Sequence, residues 1–256
     1  MGTITKMGNN NVPDYKKYLF DLSKQIEEPE LLLTLPNENG EDIGVLYRGS
    51  LSMIAGSAGS GKTFAVTWLI GQAYEQKEGK LKVLLIDTEQ PPYWLKREVE
   101  RIHKLLRLDT STSSDIIQVL NLKDCDYKER INITGQAIQA IRPDFVIIDG
   151  IRDLTGDFNS VEASGDVITN LLKWSAEMNC HILSVLHLNK VNAEARGHLG
   201  TELNNKIDVC FYILKDDDKD YIKDLYTIKA GKNRMGHLLC LGLSVLMICQ
   251  CLTMTR

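Results

Sequence analysis

The chain has 256 residues, of which 43% are hydrophobic and 25% charged, and this balance excludes a disordered or fibrous protein. A formal net charge of −4 and a sequence pI of about 5.8 exclude a protein that coats nucleic acid with its whole surface, so any such contact must be local. Six cysteines without a C-x-x-C pair, and no signal peptide at the start, indicate a reduced, cytoplasmic setting.

The N-terminal part is expected to be an extension of the main domain. Apolar residues recur at helical spacing over residues 14–28 and stop before Pro29, which predicts a short amphipathic helix. Turn-forming residues at 36–44 separate two apolar runs and predict a hairpin. The boundaries expected are 1–48 for the extension, 49–236 for the main domain and 237–256 for an apolar tail.

Within the main domain, continuous apolar runs alternate with helical patterns. Strands are predicted at SLSMIAG, KVLLID, DIIQVLNL, DFVIID and HILSVLHL, with helices between them. This alternation is typical of a parallel sheet covered on both faces. Beyond Asn205, the runs DVCFYILK and YIKDLYTIK flank an acidic turn and predict an antiparallel hairpin at one edge. The fold class expected is therefore a three-layer α/β domain with a mainly parallel sheet.

The segment GSAGSGKT, residues 56–63, matches G-x-x-x-x-G-K-[ST] between a strand and a helix. Its glycines allow backbone N–H groups to wrap a polyphosphate, Lys62 would bridge the outer phosphates of ATP, and the Thr63 hydroxyl would hold Mg²⁺. The alternative is a glycine-rich turn with an incidental lysine. The ATP-binding residues predicted are Gly56, Ser57, Ala58, Gly59, Ser60, Gly61, Lys62, Thr63 and Phe64.

A carboxylate, Asp149, ends the apolar run FVIID. In P-loop enzymes such a group accepts hydrogen bonds from the hydration shell of Mg²⁺, on the strand next to the one that feeds the cradle. Asp-Gly also begins many turns, which is the alternative here. The metal site predicted consists of Thr63 and Asp149.

A second carboxylate, Glu89, follows the strand in LLIDTEQPP. Its functional interpretation is a base that orients the attacking water. Because Pro91 and Pro92 begin the next helix, the alternative is a carboxylate that merely favours a helix N-terminus.

These motifs in this order resemble the RecA-like P-loop ATPases and, among them, the DnaB-like and RepA-type hexameric helicases, with related AAA-type ATPases of plasmids and mobile elements. The resemblance covers roughly residues 49–236. It implies that Glu89 is the catalytic glutamate. It also implies that His187, at the end of SVLHLNK, senses the γ-phosphate, although a lone strand-end histidine is usually a satisfied polar residue.

The segment ARGHLGTELNNKIDVCFYI resembles the part of DnaB-like helicases in which a glycine-containing loop leads into a helix and an edge strand. A glycine-flanked basic loop can follow phosphates without reading bases. The alternative is an ordinary surface loop. The residues that could face a nucleic-acid backbone are Lys190, Arg196, His198 and Thr201.

The segment AGKNRMG resembles the K-x-R-x-G segment that reaches across a subunit boundary in the DnaB-like family. By that resemblance Arg234 is a finger on the γ-phosphate of the neighbouring subunit, and Lys232 supports it. A head-to-tail ring, expected to be a homohexamer, is then implied. A solvated basic turn fits the spacing equally well. The catalytic residues implied are Lys62, Glu89, Asp149, His187, Lys232 and Arg234.

The tail, residues 237–256, has no acidic residue and no lysine and holds half of the cysteines. It could be a final core strand, a membrane anchor or an abnormal end. Its length barely reaches that of a membrane span, and Gly242, Ser244 and Gln250 weaken that interpretation. A core strand is preferred and a membrane anchor is not favoured.

The function expected is that of an ATP-hydrolysing motor on single-stranded DNA, a replicative or mobilisation helicase of a plasmid or mobile element. No separate primase, zinc-binding or loader domain is expected, because the residues before Gly49 are predicted to form at most a helix and a hairpin, which resembles the short RepA-type helicases. The alternative is a regulatory or loading ATPase that switches partners without translocating, which the acidic pI favours mildly. Glu89 and the Lys232/Arg234 pair count against a third possibility, a P-loop kinase.

Overall fold

The computed structural model describes residues 14–37, 39–188, 197–215 and 226–233. Several predicted features lie outside these residues: Lys190 and Arg196 of the proposed DNA-facing loop, the finger Arg234 and the tail, residues 237–256. In the described part the elements are β1 (Leu31–Pro36), β2 (Asp42–Tyr47), β3 (Leu51–Gly56), α1 (Lys62–Gln76), β4 (Val83–Asp87), α2 (Pro92–Leu105), β5 (Ile117–Asn121), α3 (Tyr127–Ile141), β6 (Phe145–Asp149), α4 (Val161–Met178), β7 (His181–His187), α5 (Gly197–Lys206), β8 (Val209–Lys215) and β9 (Tyr226–Asn233).

The main sheet has the strand order β5-β4-β6-β7-β3-β8-β9. The first six strands of this order are mutually parallel, and β9 pairs antiparallel with β8 at the edge. Every residue of β3 and β4 is buried, because separate hydrophobic clusters cover the two faces of the sheet. The expected α/β class, with a mainly parallel sheet and an antiparallel edge hairpin, is confirmed.

One detail of the strand arrangement was predicted wrongly. The strand that ends in Asp149 is not adjacent to the strand that feeds the glycine-rich loop, because β7 lies between β6 and β3. Gly56 at the end of β3 is paired with His187 of β7, and Ile148 of β6 is paired with Ser184 of β7. The crossover through α1 skips two strand positions, which β6 and β7 fill later in the chain. His187 is thereby placed between the loop and Asp149.

The helix predicted over residues 14–28 is also wrong. The structure has a single 3-10 turn, Tyr15–Tyr18, followed by irregular backbone. Every residue from 14 to 30 is exposed, and an isolated helix of this length is marginal in water unless an apolar face is packed. Local side-chain bonds compete with it: Asp14 accepts from Lys16 N at 3.1 Å and Asp21 accepts from Ser23 N at 3.0 Å.

The predicted hairpin is confirmed and packs on the main domain. Strands β1 and β2 pair antiparallel, and Leu32 and Leu33 are buried in the same cluster as α1. The Gln76 side chain at the end of α1 completes the junction, because it accepts from Thr34 N at 2.8 Å and donates to Thr34 O at 3.0 Å. Among the described helices, none has the length and apolarity that a membrane crossing requires.

Replacing Leu33 by alanine is expected to lower the free energy of unfolding by about 2–5 kcal/mol, since the substitution leaves a cavity between hairpin and α1. Urea denaturation measures the change. The matched control is Leu22→Ala, because Leu22 is 90% exposed and such a change costs less than about 0.5 kcal/mol. Equal effects of the two substitutions would contradict the packing of the hairpin on the core.

Candidate functional site

The carboxyl ends of β3, β4, β6 and β7 meet at one edge of the sheet and form a pocket. This is the edge at which open α/β sheets bind their ligands. The pocket is lined by Gly59, Gly61, Lys62, Thr63, Phe64, Asp87, Glu89, Gln90, Asp149 and His187. A larger cavity lies between α2 and β5, but none of the residues predicted to act lines it. The loop, both predicted carboxylates and the strand-end histidine are therefore brought together.

Three glycines of the loop between β3 and α1 each have a steric reason. Gly59 and Gly61 have φ values of 73° and 85°, which favour glycine. A Cβ on Gly56 would lie 2.4 Å from Ser60 Oγ and 3.0 Å from Ile213 O. Helix α1 begins directly after the loop without a side-chain cap, so its first N–H groups can face an anion.

Lys62 is 7% exposed, and its ammonium group is held on three sides. It donates to Gly56 O at 3.1 Å and to Ser57 O at 2.9 Å, and its third contact is His187 Nδ1 at 3.1 Å. Desolvation lowers the pKa of Lys62, while the charges of Asp149 and Glu89 oppose that shift. The cation is thus fixed against the loop with carboxylates on its other side.

Negative charge accumulates around this one lysine. Burial raises the pKa of Asp149 to about 8, and the carboxylates of Glu98, Glu89 and Asp87 add to the effect while Lys62 opposes it. Burial likewise raises the pKa of Asp87. A bound cation would relieve this repulsion, because it favours the ionised carboxylates.

The donor set fits Mg²⁺ better than it fits a metal that needs a complete protein cage. Thr63 and Asp149 offer a hydroxyl and a carboxylate to the same pocket, and these are oxygen donors of the kind that Mg²⁺ takes. Within the described residues, no group of three acidic, histidine or cysteine side chains forms a ready metal site. Mg²⁺ usually keeps several waters and completes its shell with substrate phosphates, so two protein donors suffice.

Glu89 and His187 face each other across the pocket. Glu89 lies two residues beyond β4, and its Oε2 is 3.6 Å from Nε2 of His187, the last residue of β7. The contact with His187 holds the pKa of Glu89 below its ordinary value, with burial opposing and Lys62 and Arg152 assisting. Because the Lys62 ammonium can only donate, Nδ1 of His187 accepts and Nε2 carries the proton that faces Glu89. Glu89 is therefore an ionised carboxylate at neutral pH, as a general base requires.

The family model described as an AAA domain matches residues 31–193, which is more than half of the chain. The chain belongs to this family of P-loop ATPases. The matched range includes the hairpin, the glycine-rich loop, Glu89, Asp149 and His187. A search of the curated proteins returned no match.

Several residues that shape this ATPase pocket were missed from the sequence. Asp87, the last residue of β4, is 1% exposed. Like Asp149, it is a carboxylate at the end of a buried strand, so the same sequence pattern could have predicted it. Thr88 joins the turns after β4 and β6, because its hydroxyl donates to Asp153 Oδ2 at 2.9 Å and accepts from Gly150 N at 2.9 Å. Gln90, which follows Glu89 and lines the pocket, was not predicted as a site residue.

Two of the residues predicted to contact DNA, His198 and Thr201, do not line this pocket. His198 and Thr201 lie on α5. Lys232 lies on β9 with its backbone paired to Cys210. Lys190, Arg196 and Arg234 are outside the described residues, so their roles stay predictions.

Replacing Lys62 by methionine is expected to weaken binding of a fluorescent ATP analogue by about tenfold to a hundredfold, since a charge-assisted contact to phosphate is lost. Equilibrium fluorescence titration measures the dissociation constant. Lys80→Met serves as the control. The Lys80 side chain is 80% exposed, so this substitution should leave the dissociation constant unchanged. Unaltered affinity in the Lys62 variant would place the polyphosphate elsewhere.

Proposed function

We propose that this P-loop ATPase is a motor that hydrolyses ATP to act on single-stranded DNA, a replicative or mobilisation helicase of a plasmid or mobile element. The observation that carries the proposal is the meeting of Glu89 and His187 over Lys62. It combines a base for hydrolysis with a group at a strand end that touches both the base and the phosphate-binding lysine.

For hydrolysis, each side chain has a task set by its place. Lys62 and the N–H groups at the start of α1 hold the outer phosphates of ATP. The ionised Glu89 orients a water and takes its proton as the water oxygen attacks the γ-phosphorus, while the bond from that phosphorus to the bridging oxygen breaks and ADP leaves. Thr63 and Asp149 are the residues that would hold Mg²⁺, which supplies positive charge to the phosphate oxygens.

For coupling to DNA, the position of His187 is the supporting feature. Its Nδ1 meets Lys62 Nζ at 3.1 Å, so a change at the phosphates would move or reorient the ring. From His187 the chain runs through residues 189–196, which include Lys190 and Arg196, to α5 with His198 and Thr201. A shift at the end of β7 would thus be passed to the segment proposed to follow the DNA backbone.

For assembly, the place of Lys232 is the supporting feature. Its backbone pairs with Cys210 of β8, and Cys210 pairs with Met53, three residues before the end of β3. β9 lies two strands away from β3, and neighbouring strands are about 4.8 Å apart, so Lys232 is displaced from its own glycine-rich loop by on the order of 10 Å across the sheet. Three residues at about 3.3 Å each displace it by a similar distance along the strand. This placement favours a role toward a neighbouring subunit.

An exposed apolar segment also favours association. The N-terminal apolar strip consists of side chains that are each 65–90% exposed: Tyr15, Tyr18, Leu19, Phe20, Leu22 and Ile26. Soluble monomers rarely leave so many large apolar side chains together in water. We propose a head-to-tail ring, with six copies as in the helicases that the sequence resembles.

Phosphate release with and without single-stranded DNA tests the motor. Wild-type protein is expected to hydrolyse ATP, and DNA is expected to raise the rate several-fold. Glu89→Gln should lower kcat by about a hundredfold or more with little change in ATP binding, because general-base catalysis contributes roughly 10²–10⁴. Glu28→Gln, on the exposed N-terminal segment, is the matched control.

Other results would point to other functions. Hydrolysis that is indifferent to DNA would contradict the motor and leave a regulatory or loading ATPase that switches partners. Phosphate that appears on an acceptor instead of free in solution would indicate a kinase.

A mixing experiment tests the neighbouring-subunit finger. Arg234→Ala and Lys62→Ala are each expected to be nearly inactive alone, since arginine fingers supply about 10³–10⁵ in rate. Mixed in equal amounts, they should regain part of the activity, because some interfaces then pair an intact cradle with an intact finger.

The dependence on protein concentration provides the second half of that test. Specific activity of the wild type should rise as sedimentation shows assembly. No recovery on mixing, together with activity that is independent of concentration, would exclude catalysis across a subunit boundary.

A further inference from the structure

A polar cluster extends from the wall of the nucleotide pocket, where Asp87 and Gln90 line it, to the buried Glu98. Asp87 on β4 and Glu98 on α2 are 1% and 3% exposed, and the Gln90 side chain lies between them. Gln90 Nε2 donates to Asp87 Oδ2 at 3.0 Å and to Glu98 Oε2 at 2.5 Å. Both N–H groups of the Gln90 amide are thereby used, and its orientation is fixed from two sides.

The same contacts fix the backbone of the turn that carries Glu89. Gln90 N donates to Asp87 Oδ1 at 2.8 Å, and Gln90 O accepts from Asn121 Nδ2 at 3.0 Å. On the other side, Glu89 O accepts from Lys123 Nζ at 2.7 Å. The Glu89 carboxylate itself meets His187 at 3.6 Å, which is too long for a hydrogen bond to hold it. Its position therefore depends on the turn.

We propose that Glu98 is a positioning residue for hydrolysis: through the Gln90 amide it holds the turn of residues 88–90 so that the Glu89 carboxylate stands beside His187 and Lys62. The inference rests on the proposed role of Glu89 as the base. Nothing in it requires Glu98 to touch ATP or water, and Glu98 does not line the pocket.

A carboxylate at this place costs stability that an apolar side chain would not. The buried face of α2 consists of Leu95, Glu98, Ile102 and His103, so a leucine at 98 would continue an apolar stripe. Burial raises the pKa of Glu98 to about 7, with Gln90 and Arg101 opposing and Asp87 adding to the rise. Leucine would remove a buried ionisable group, but it would also take away the Glu98 acceptor of the Gln90 amide, and a buried donor without its partner is destabilising. The two effects on stability oppose each other, so activity and hydrogen exchange are the measurements that test the inference.

The test compares Glu98→Leu with Glu98→Gln. Glu98→Leu removes the acceptor of Gln90 Nε2, and kcat for ATP is expected to fall about tenfold to a hundredfold, since small displacements of a catalytic group have effects of that size. The KM for ATP and the dissociation constant of a fluorescent ATP analogue should stay within about twofold. Glu98→Gln keeps an oxygen that accepts from Gln90 and should retain most of the wild-type kcat.

Hydrogen exchange supplies a readout that does not need activity. The Gln90 N–H is bonded to Asp87, and mass spectrometry of the peptide over residues 88–91 should show about tenfold faster exchange in Glu98→Leu and unchanged exchange in Glu98→Gln. Glu100→Leu is the matched control, because Glu100 lies on the same helix and pairs with Arg97. It should alter neither exchange nor kcat.

Each outcome decides the inference. Exchange that is unchanged in Glu98→Leu, or a kcat within twofold of wild type, overturns it while leaving ATP hydrolysis by Glu89 intact. A fall in kcat that Glu98→Gln shares also overturns it, since that variant keeps the acceptor. Wild-type protein that binds but never hydrolyses ATP overturns the proposed function itself, and the positioning role falls with it even if the exchange data show that Glu98 holds the turn.

Discussion

The buried ammonium group of Lys62 sets the conditions for the rest of the pocket. A lysine with 7% exposure needs acceptors on every side, and the loop carbonyls of Gly56 and Ser57 with the His187 ring supply them. Its charge in turn offsets part of the repulsion among the neighbouring carboxylates. Without Lys62, the carboxylates would face one another in a poorly solvated space.

The order of strands in the sheet makes this arrangement possible. Because β7 lies between β3 and β6, His187 ends beside the glycine-rich loop and reaches both Lys62 and Glu89. If β6 were next to β3, Asp149 would lie where the histidine lies. The position of β7 therefore separates Asp149, the predicted metal ligand, from the glycine-rich loop by one strand. It also places the His187 ring between Asp149 and Lys62.

Local patterns predicted the elements well. The helices expected between the predicted strands are found, α1 and α4 among them, because short continuous apolar runs bounded by turn residues alternate with longer helical patterns. The glycine-rich loop, Glu89, Asp149 and His187 were predicted as site residues, and all four are found at one pocket.

The predictions that were wrong or missing depended on contacts between residues far apart in the chain. The helix over residues 14–28 had an apolar pattern but has no surface to pack on within the described structure, and the neighbours of β3 depend on crossovers that span many residues. Predicting Glu98 required knowledge of which face of α2 is buried, and Asp87 and Gln90 were not predicted because Glu89 was the carboxylate chosen from the same segment.

The most direct test of the pocket is the effect of Mg²⁺ on nucleotide affinity, measured by titration calorimetry with a non-hydrolysable ATP analogue in the wild type and in Asp149→Asn. If the excess of carboxylates around Lys62 is balanced by a cation that Thr63 and Asp149 help to hold, Mg²⁺ should tighten binding at least about tenfold in the wild type and much less in the variant. Affinity that is the same with and without Mg²⁺ in the wild type would contradict this balance of charge and the ATPase site built on it.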